Sequence, residues 1–199
     1  MSALDDIDEL RRVLDAARDA LPALLDVVAG RLQGTLAGGG RVLVCGNGGS
    51  AAAAQHFAAE LVGRLSADRA PMAALALTAD TATLTAIAND AGFDRVFARQ
   101  VDALARPGDA LVALSTSGRS PNVLAAARAA RALGCTVVAL TGANGGELGP
   151  LADFLVAVPS ATTARVQEVH ELCLHALARA LEEVALAAPP SPPSVPGTS

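Results

Sequence analysis

His56 and Glu60 stand four residues apart in an Ala-rich segment, so on a helix both side chains leave the same face. Near the other end of the chain, Gln167, Glu168, His170, Glu171 and His175 place two of the three histidines on a segment that otherwise carries a packing pattern. A helix-surface pair and a solvated face would account for these residues without any ligand. Imidazole and carboxylate side chains are also the usual carriers of protons in general acid–base catalysis. His56, Glu60 and His175, with Gln167 as a further oxygen donor, make a set of borderline nitrogen and oxygen ligands suited to zinc.

Two loops rich in hydroxyls and glycine supply the second kind of chemistry. Ser115-Thr116-Ser117-Gly118-Arg119-Ser120-Pro121 lies between an apolar strand pattern and a helix, with Pro121 at the first helical position and Ser120 as its N-cap. Helix starts expose unpaired N–H groups and the positive end of the dipole, so an anion such as phosphate fits there. Cys45-Gly46-Asn47-Gly48-Gly49-Ser50 has the same strand-to-helix context. Gly46, Gly48 and Ala51 match a loose dinucleotide fingerprint, but about 20 residues later the chain offers Arg64, Asp68 and Arg69 before the second strand, and no acid stands at that strand's end until Asp80. Two loops at the carboxyl ends of parallel strands imply one shared phosphate site.

These loops need a frame. Helical periodicity runs from about Ala3 to Ala37, with a break near Pro22, and stops at Gly38-Gly39-Gly40. Strands are predicted near Val42–Cys45, Ala73–Leu77, Ala110–Leu114, Thr136–Leu140 and Phe154–Val156. Helices are predicted near Ala51–Leu65, Thr81–Asn89, Asp94–Ala105, Pro121–Leu133 and Thr163–Val184. The alternation is that of an α/β fold, a five-stranded parallel sheet covered on both faces, making a three-layer αβα sandwich. Residues 1–185 form a single domain, and the Pro/Ser-rich stretch 186–199 is expected to be a disordered tail.

Composition narrows the function. Of 199 residues, 52% are hydrophobic but only 2% aromatic, and the net charge is −5, which argues against direct nucleic-acid binding. Three cysteines without CxxC spacing read as reduced thiols in a cytoplasmic protein, with Cys45 a minor candidate for reactivity. No leader and no membrane-length apolar run is expected.

Taken together, Cys45–Ser50, Gln55-His56-Phe57-Ala58-Ala59-Glu60-Leu61, Ala88-Asn89-Asp90, Ser115–Gly118 with Ser120, Leu140-Thr141-Gly142 and Val166-Gln167-Glu168 with His175 resemble the sugar isomerase (SIS) family. The closer likeness is to the bacterial phosphoheptose isomerases, and it extends to about Glu183. The resemblance implies interconversion of sedoheptulose 7-phosphate and D-glycero-D-manno-heptose 7-phosphate. It implies substrate contacts at Asn47, Gly48, Gly49, Glu60, Asn89, Asp90, Ser115, Thr116, Ser117, Ser120 and Gln167. It makes His56, Glu60, Gln167 and His175 the ligands of one Zn2+ per subunit, and Glu60 and His175 the acid–base pair. It also implies a homotetramer assembled through the N-terminal helices.

Gln167 and His175 are eight residues apart, about 12 Å along an ideal helix, so one metal reaches both only at full stretch. A bent helix or ligands from different chains would relieve this, and a site at a subunit interface is expected. Arg119 replaces a common Asn beside the phosphate loop, Ala164 an acid found in some relatives, and Glu171 a usually apolar residue, which makes it an alternative ligand or a surface residue, the surface being favoured. The likeness extends to a non-catalytic adaptor of the replication initiator and to sugar-phosphate sensors. Retention of both Glu60 and His175 favours the isomerase over either.

Overall fold

The computed structural model of the protein describes residues 2–187. Of the stretch 186–199 expected to be a disordered tail, Leu186 and Ala187 are helical, at the end of the last helix, and residues 188–199 lie outside the described residues. Helices α1 (Ala3–Ala17) and α2 (Leu21–Ala37) precede the strands β1 (Val42–Cys45), β2 (Ala74–Ala76), β3 (Ala110–Ser115), β4 (Thr136–Thr141) and β5 (Phe154–Ala157). Between and after them run α3 (Gly49–Val62), α4 (Thr81–Ala91), α5 (Ala98–Leu104), α6 (Pro121–Ala132) and α7 (Thr163–Ala187). All neighbouring strands are parallel, in the order β2-β1-β3-β4-β5. This is the three-layer α/β sandwich that the alternating pattern predicts.

Strand residues β1, β3 and β4 are buried throughout because both faces of the sheet are covered. Val42, Val44, Val112, Leu114 and Leu140 pack toward α1, α2, α3 and α7. Their neighbours Leu43, Cys45, Leu111, Ala113 and Val137 pack toward α5 and α6. Burial pushes the thiols of Cys45 and Cys173 up to about 12, so neither is a thiolate near neutral pH. Cys45 is a core residue and not a nucleophile.

Several boundaries differ from the sequence expectation. The N-terminal stretch breaks at 18–20 into two helices, with Pro22 in the first turn of the second. The predicted helix over 94–105 is a 3-10 turn, Phe93–Arg95, followed by the shorter α5.

The helix carrying His56 and Glu60 ends at Val62 instead of Leu65, for a tertiary reason. The carboxylate of Glu182 on α7 accepts the N–H groups of Leu65, Ser66 and Ala67 and the Ser66 hydroxyl, fixing that segment as a turn. Arg69, 3.8 Å from Glu182, donates to the carbonyls of Glu60 and Leu61 and so terminates α3.

These donors, the Ser66 hydroxyl foremost, hold the Glu182 carboxyl down at about 2, against 4.5 when unperturbed. The folded protein is therefore stabilised above pH 4.5, and this contribution is lost as the pH falls through about 2. The melting temperature of Glu182→Gln is expected to lie below wild type at pH 7, with the gap closing as the pH falls toward 2. A gap independent of pH in calorimetry would refute the assignment.

Candidate active site

The sheet order places β1 between β2 and β3, so connections leave β1 and β3 in opposite directions. The crevice outside the carboxyl ends of two such strands is where open parallel sheets bind ligands. Both candidate phosphate loops border it. They are joined by a reciprocal amide pair, in which Asn47 Nδ2 donates to Asn122 Oδ1 and Asn122 Nδ2 to Asn47 Oδ1, each at 2.8 Å. Asn122 is buried, and its Oδ1 also accepts the Val123 N–H at 3.0 Å. The sequence reading passed over this residue. The available signal was an amide at the second position of a helix, where a buried polar group requires partners.

Ser115 is buried at the end of β3, and its hydroxyl pairs with that of Ser120 at 2.9 Å. Ser120 does occupy the N-cap of α6, but its side chain makes no capping bond. The two hydroxyls are held by each other, facing a helix start. Ser117 is exposed and its hydroxyl accepts the Arg119 N–H at 3.2 Å. Arg119 is exposed beside Thr116 and Ser117 on a cavity of about 190 Å³. Behind the loop, Gly142 N–H donates to the Thr116 carbonyl and Leu148 N–H to the Gly118 carbonyl, each at 2.9 Å.

The protonatable groups meet where α3 packs on α7. His56 Nε2 lies 3.3 Å and His175 Nε2 3.4 Å from the same oxygen, Oε1 of Glu60. Glu60 is nearly buried, whereas the two rings retain solvent contact and stand edge to face with centroids 5.1 Å apart. Glu171, expected at the surface, is half-buried and hydrogen-bonded to Nδ1 of His56. It reaches the site because α7 lies against α3 along the face that also carries Gln167 and His175.

Gln167 sits one turn earlier, its amide against Gly49, where an added Cβ would stand 2.8 Å from the amide nitrogen and oxygen. Gly49 admits this contact because it has no side chain. His170, on another face, is buried: Nε2 donates to the Thr141 carbonyl at 3.1 Å. Desolvation pushes its pKa down to about 4, so His170 is a neutral core residue. Asn89 and Asp90 are exposed on the last turn of α4 and hydrogen-bonded to each other at 2.8 Å. Asp80, the late acid, caps α4 through the Thr83 N–H and hydroxyl.

The cluster fits a divalent cation. Polar side-chain atoms of His56, Glu171 and His175 lie within 4.8 Å of one another, and with Glu60 facing both rings the cluster carries two negative charges when the rings are neutral. A tetrahedral zinc with bonds of about 2.0–2.1 Å has ligand–ligand edges of about 3.3–3.4 Å. The Glu60 oxygen stands at 3.3 Å and 3.4 Å from the two imidazole nitrogens, the length of such edges.

No helix among the described residues is long and apolar enough to cross a membrane. The SIS domain family matches residues 7–142. A phosphoheptose isomerase of Aromatoleum aromaticum is 54% identical over 176 residues, covering 84% of this chain and 89% of its own length. The structure of a phosphoheptose isomerase from Neisseria gonorrhoeae superposes with a TM-score of 0.86 at 44% identity, covering 91% of this chain and 97% of the other. That of a phosphoheptose isomerase from Francisella tularensis gives 0.87 at 39% identity, covering 92% and 100%. A shared fold and identity at this level over nearly whole chains lead to one conclusion: this chain belongs to the SIS-domain family and, within it, to the phosphoheptose isomerases.

Proposed function

We propose that the protein converts D-sedoheptulose 7-phosphate to D-glycero-D-manno-heptose 7-phosphate, as an aldose–ketose isomerase. The observation that carries this reading is the Glu60 carboxylate, nearly buried and shared by two imidazoles. Isomerisation moves a proton between adjacent carbons through an enediol, which requires a base, an acid at oxygen and a group that stabilises charge on that oxygen. Glu60 takes the proton from one carbon and returns it to its neighbour, and His175 exchanges a proton with the oxygen through the ring nitrogen that is not bound to the metal. The phosphate is held by Ser115, Thr116, Ser117 and Ser120, with Asn47, Gly48, Gly49, Asn89, Asp90 and Gln167 along the sugar. From Gly49 to His56 the helix rises about 10 Å. A sugar chain of several carbons spans that length.

Zn2+ is held in this reading by His56, Glu60 and His175, with Gln167 as the further donor that the family resemblance implies. When bound, it supplies Lewis-acid polarisation of the substrate carbonyl. The working form is a homotetramer in the cytoplasm. Exposed Leu4, Ile7, Val27 and Leu172, together with an apolar groove of about 420 Å³ along Leu14, Leu21, Leu25 and Ala176, support close packing between subunits through the N-terminal helices. The groove borders α7 next to the site, as a site near a subunit contact requires.

The test is incubation with sedoheptulose 7-phosphate, with and without a zinc chelator, following the aldose by NMR. Product that disappears with chelation and returns with Zn2+ is the expected result. A zinc-loaded protein that yields none refutes the isomerase.

A further inference from the structure

His56 is held at both ring nitrogens: Nε2 faces Glu60, and Nδ1 is hydrogen-bonded to Oε1 of Glu171. An imidazole that binds a metal through one nitrogen carries its proton on the other. A carboxylate at that second nitrogen fixes the tautomer and ring plane and makes the ligating nitrogen more basic. We propose that Glu171 is a positioning residue of the metal centre, accepting the Nδ1–H bond of His56 so that Nε2 is presented to the ion beside Glu60 and His175. The inference rests on the metal reading given under Proposed function.

The geometry separates this role from direct ligation. Glu171 is in hydrogen-bond contact with Nδ1, which leaves no room for an ion between the two atoms. The edges that match a tetrahedral ion are on the other side of the ring, between Nε2 of His56, Oε1 of Glu60 and Nε2 of His175. The placement also follows from the helix period. Gln167, Glu171 and His175 are spaced by four, so α7 presents them in one row along α3. Gln167 meets Gly49, Glu171 meets His56, and His175 meets Glu60. Glu171 thus stands at the one step of the row that faces the outer nitrogen of His56.

The experiment compares metal-stripped wild type, Glu171→Gln and Glu171→Leu. Zn2+ is titrated in competition with a chromophoric chelator, and the visible spectrum is recorded after saturation with Co2+. Loss of an outer-shell partner weakens metal binding by about 10–100-fold, which is the expectation for Glu171→Leu. Glu171→Gln should fall between, because its amide oxygen still accepts the Nδ1–H bond. At saturation the Co2+ bands should keep their shape in all three proteins, since the ligand atoms are unchanged. Melting of the metal-free variants at the wild-type temperature separates the effect from a loss of fold.

Affinities within about twofold of wild type in both variants overturn the proposal. An altered Co2+ spectrum also overturns it, by making Glu171 a ligand. Wild type that takes up neither ion refutes the metal reading and this role with it, whereas normal uptake by all three proteins refutes Glu171 alone.

Discussion

Glu60→Gln is expected to lower kcat by about 10²–10⁴-fold, the usual worth of a positioned acid–base group, while phosphate binding changes little. Glu60 is the group on which the site converges: its Oε1 faces both Nε2 atoms, and its backbone carbonyl is tied by Arg69. The amide keeps the shape of the side chain and one oxygen but cannot accept a proton from carbon. Single-turnover kinetics with sedoheptulose 7-phosphate, paired with zinc content and inorganic phosphate binding, reads the outcome. An inactive variant that retains zinc and phosphate assigns Glu60 as the base. If it loses zinc as well, its ligand role dominates. Activity within tenfold of wild type would remove Glu60 from the proton path.

The second large effect is expected at Gly118, in the phosphate loop. Its φ is +62°, where a side chain is strained by about 1–3 kcal/mol. A Cβ there would stand 2.2 Å from the carbonyl oxygen of Gly145. Both partners are backbone, and neither segment is free to yield, since Leu148 N–H is bonded to the Gly118 carbonyl and Gly142 N–H to that of Thr116. Gly118→Ala should therefore displace Ser117 and Ser120 from the phosphate. An effect of about 1.4 kcal/mol is already tenfold in affinity, so KM is expected to rise by at least about tenfold, with a lower melting temperature. The acid–base groups are on α3 and α7, so kcat at saturating substrate should fall much less. Unchanged KM and stability would show that the loop is not the phosphate site.

Much of the architecture follows from local pattern. Short apolar runs bounded by Gly and Ser, alternating with helical periods, are sufficient for five parallel strands covered on both sides, because every step of that rhythm is encoded within a few turns of chain. The two hydroxyl-rich loops and the His56/Glu60 spacing are legible for the same reason. Helix ends are less so. α3 stops at Val62 because Glu182, 120 residues downstream of it, takes the amides of 65–67, and nothing near Leu65 announces that partner. Cys45 and His170 read as chemically capable in one dimension, but burial removes their ionised forms at neutral pH.

The surface reading favoured for Glu171 holds only in part, because spacing along one helix cannot say which row of residues another helix will cover. The packing of α3 on α7 brings its carboxylate to His56, and the same packing puts Gln167 against Gly49. The pairing of Asn47 with Asn122, 75 residues apart, likewise arises only when β1 and β3 become neighbours. By itself the sequence determined the layers, the loops and the kinds of chemical group present, since periodicity and turn chemistry are local properties. Which groups face one another across the crevice was decided by tertiary structure alone, because hydrogen bonds and shared ligands depend on distances that only the packed helices and sheet set.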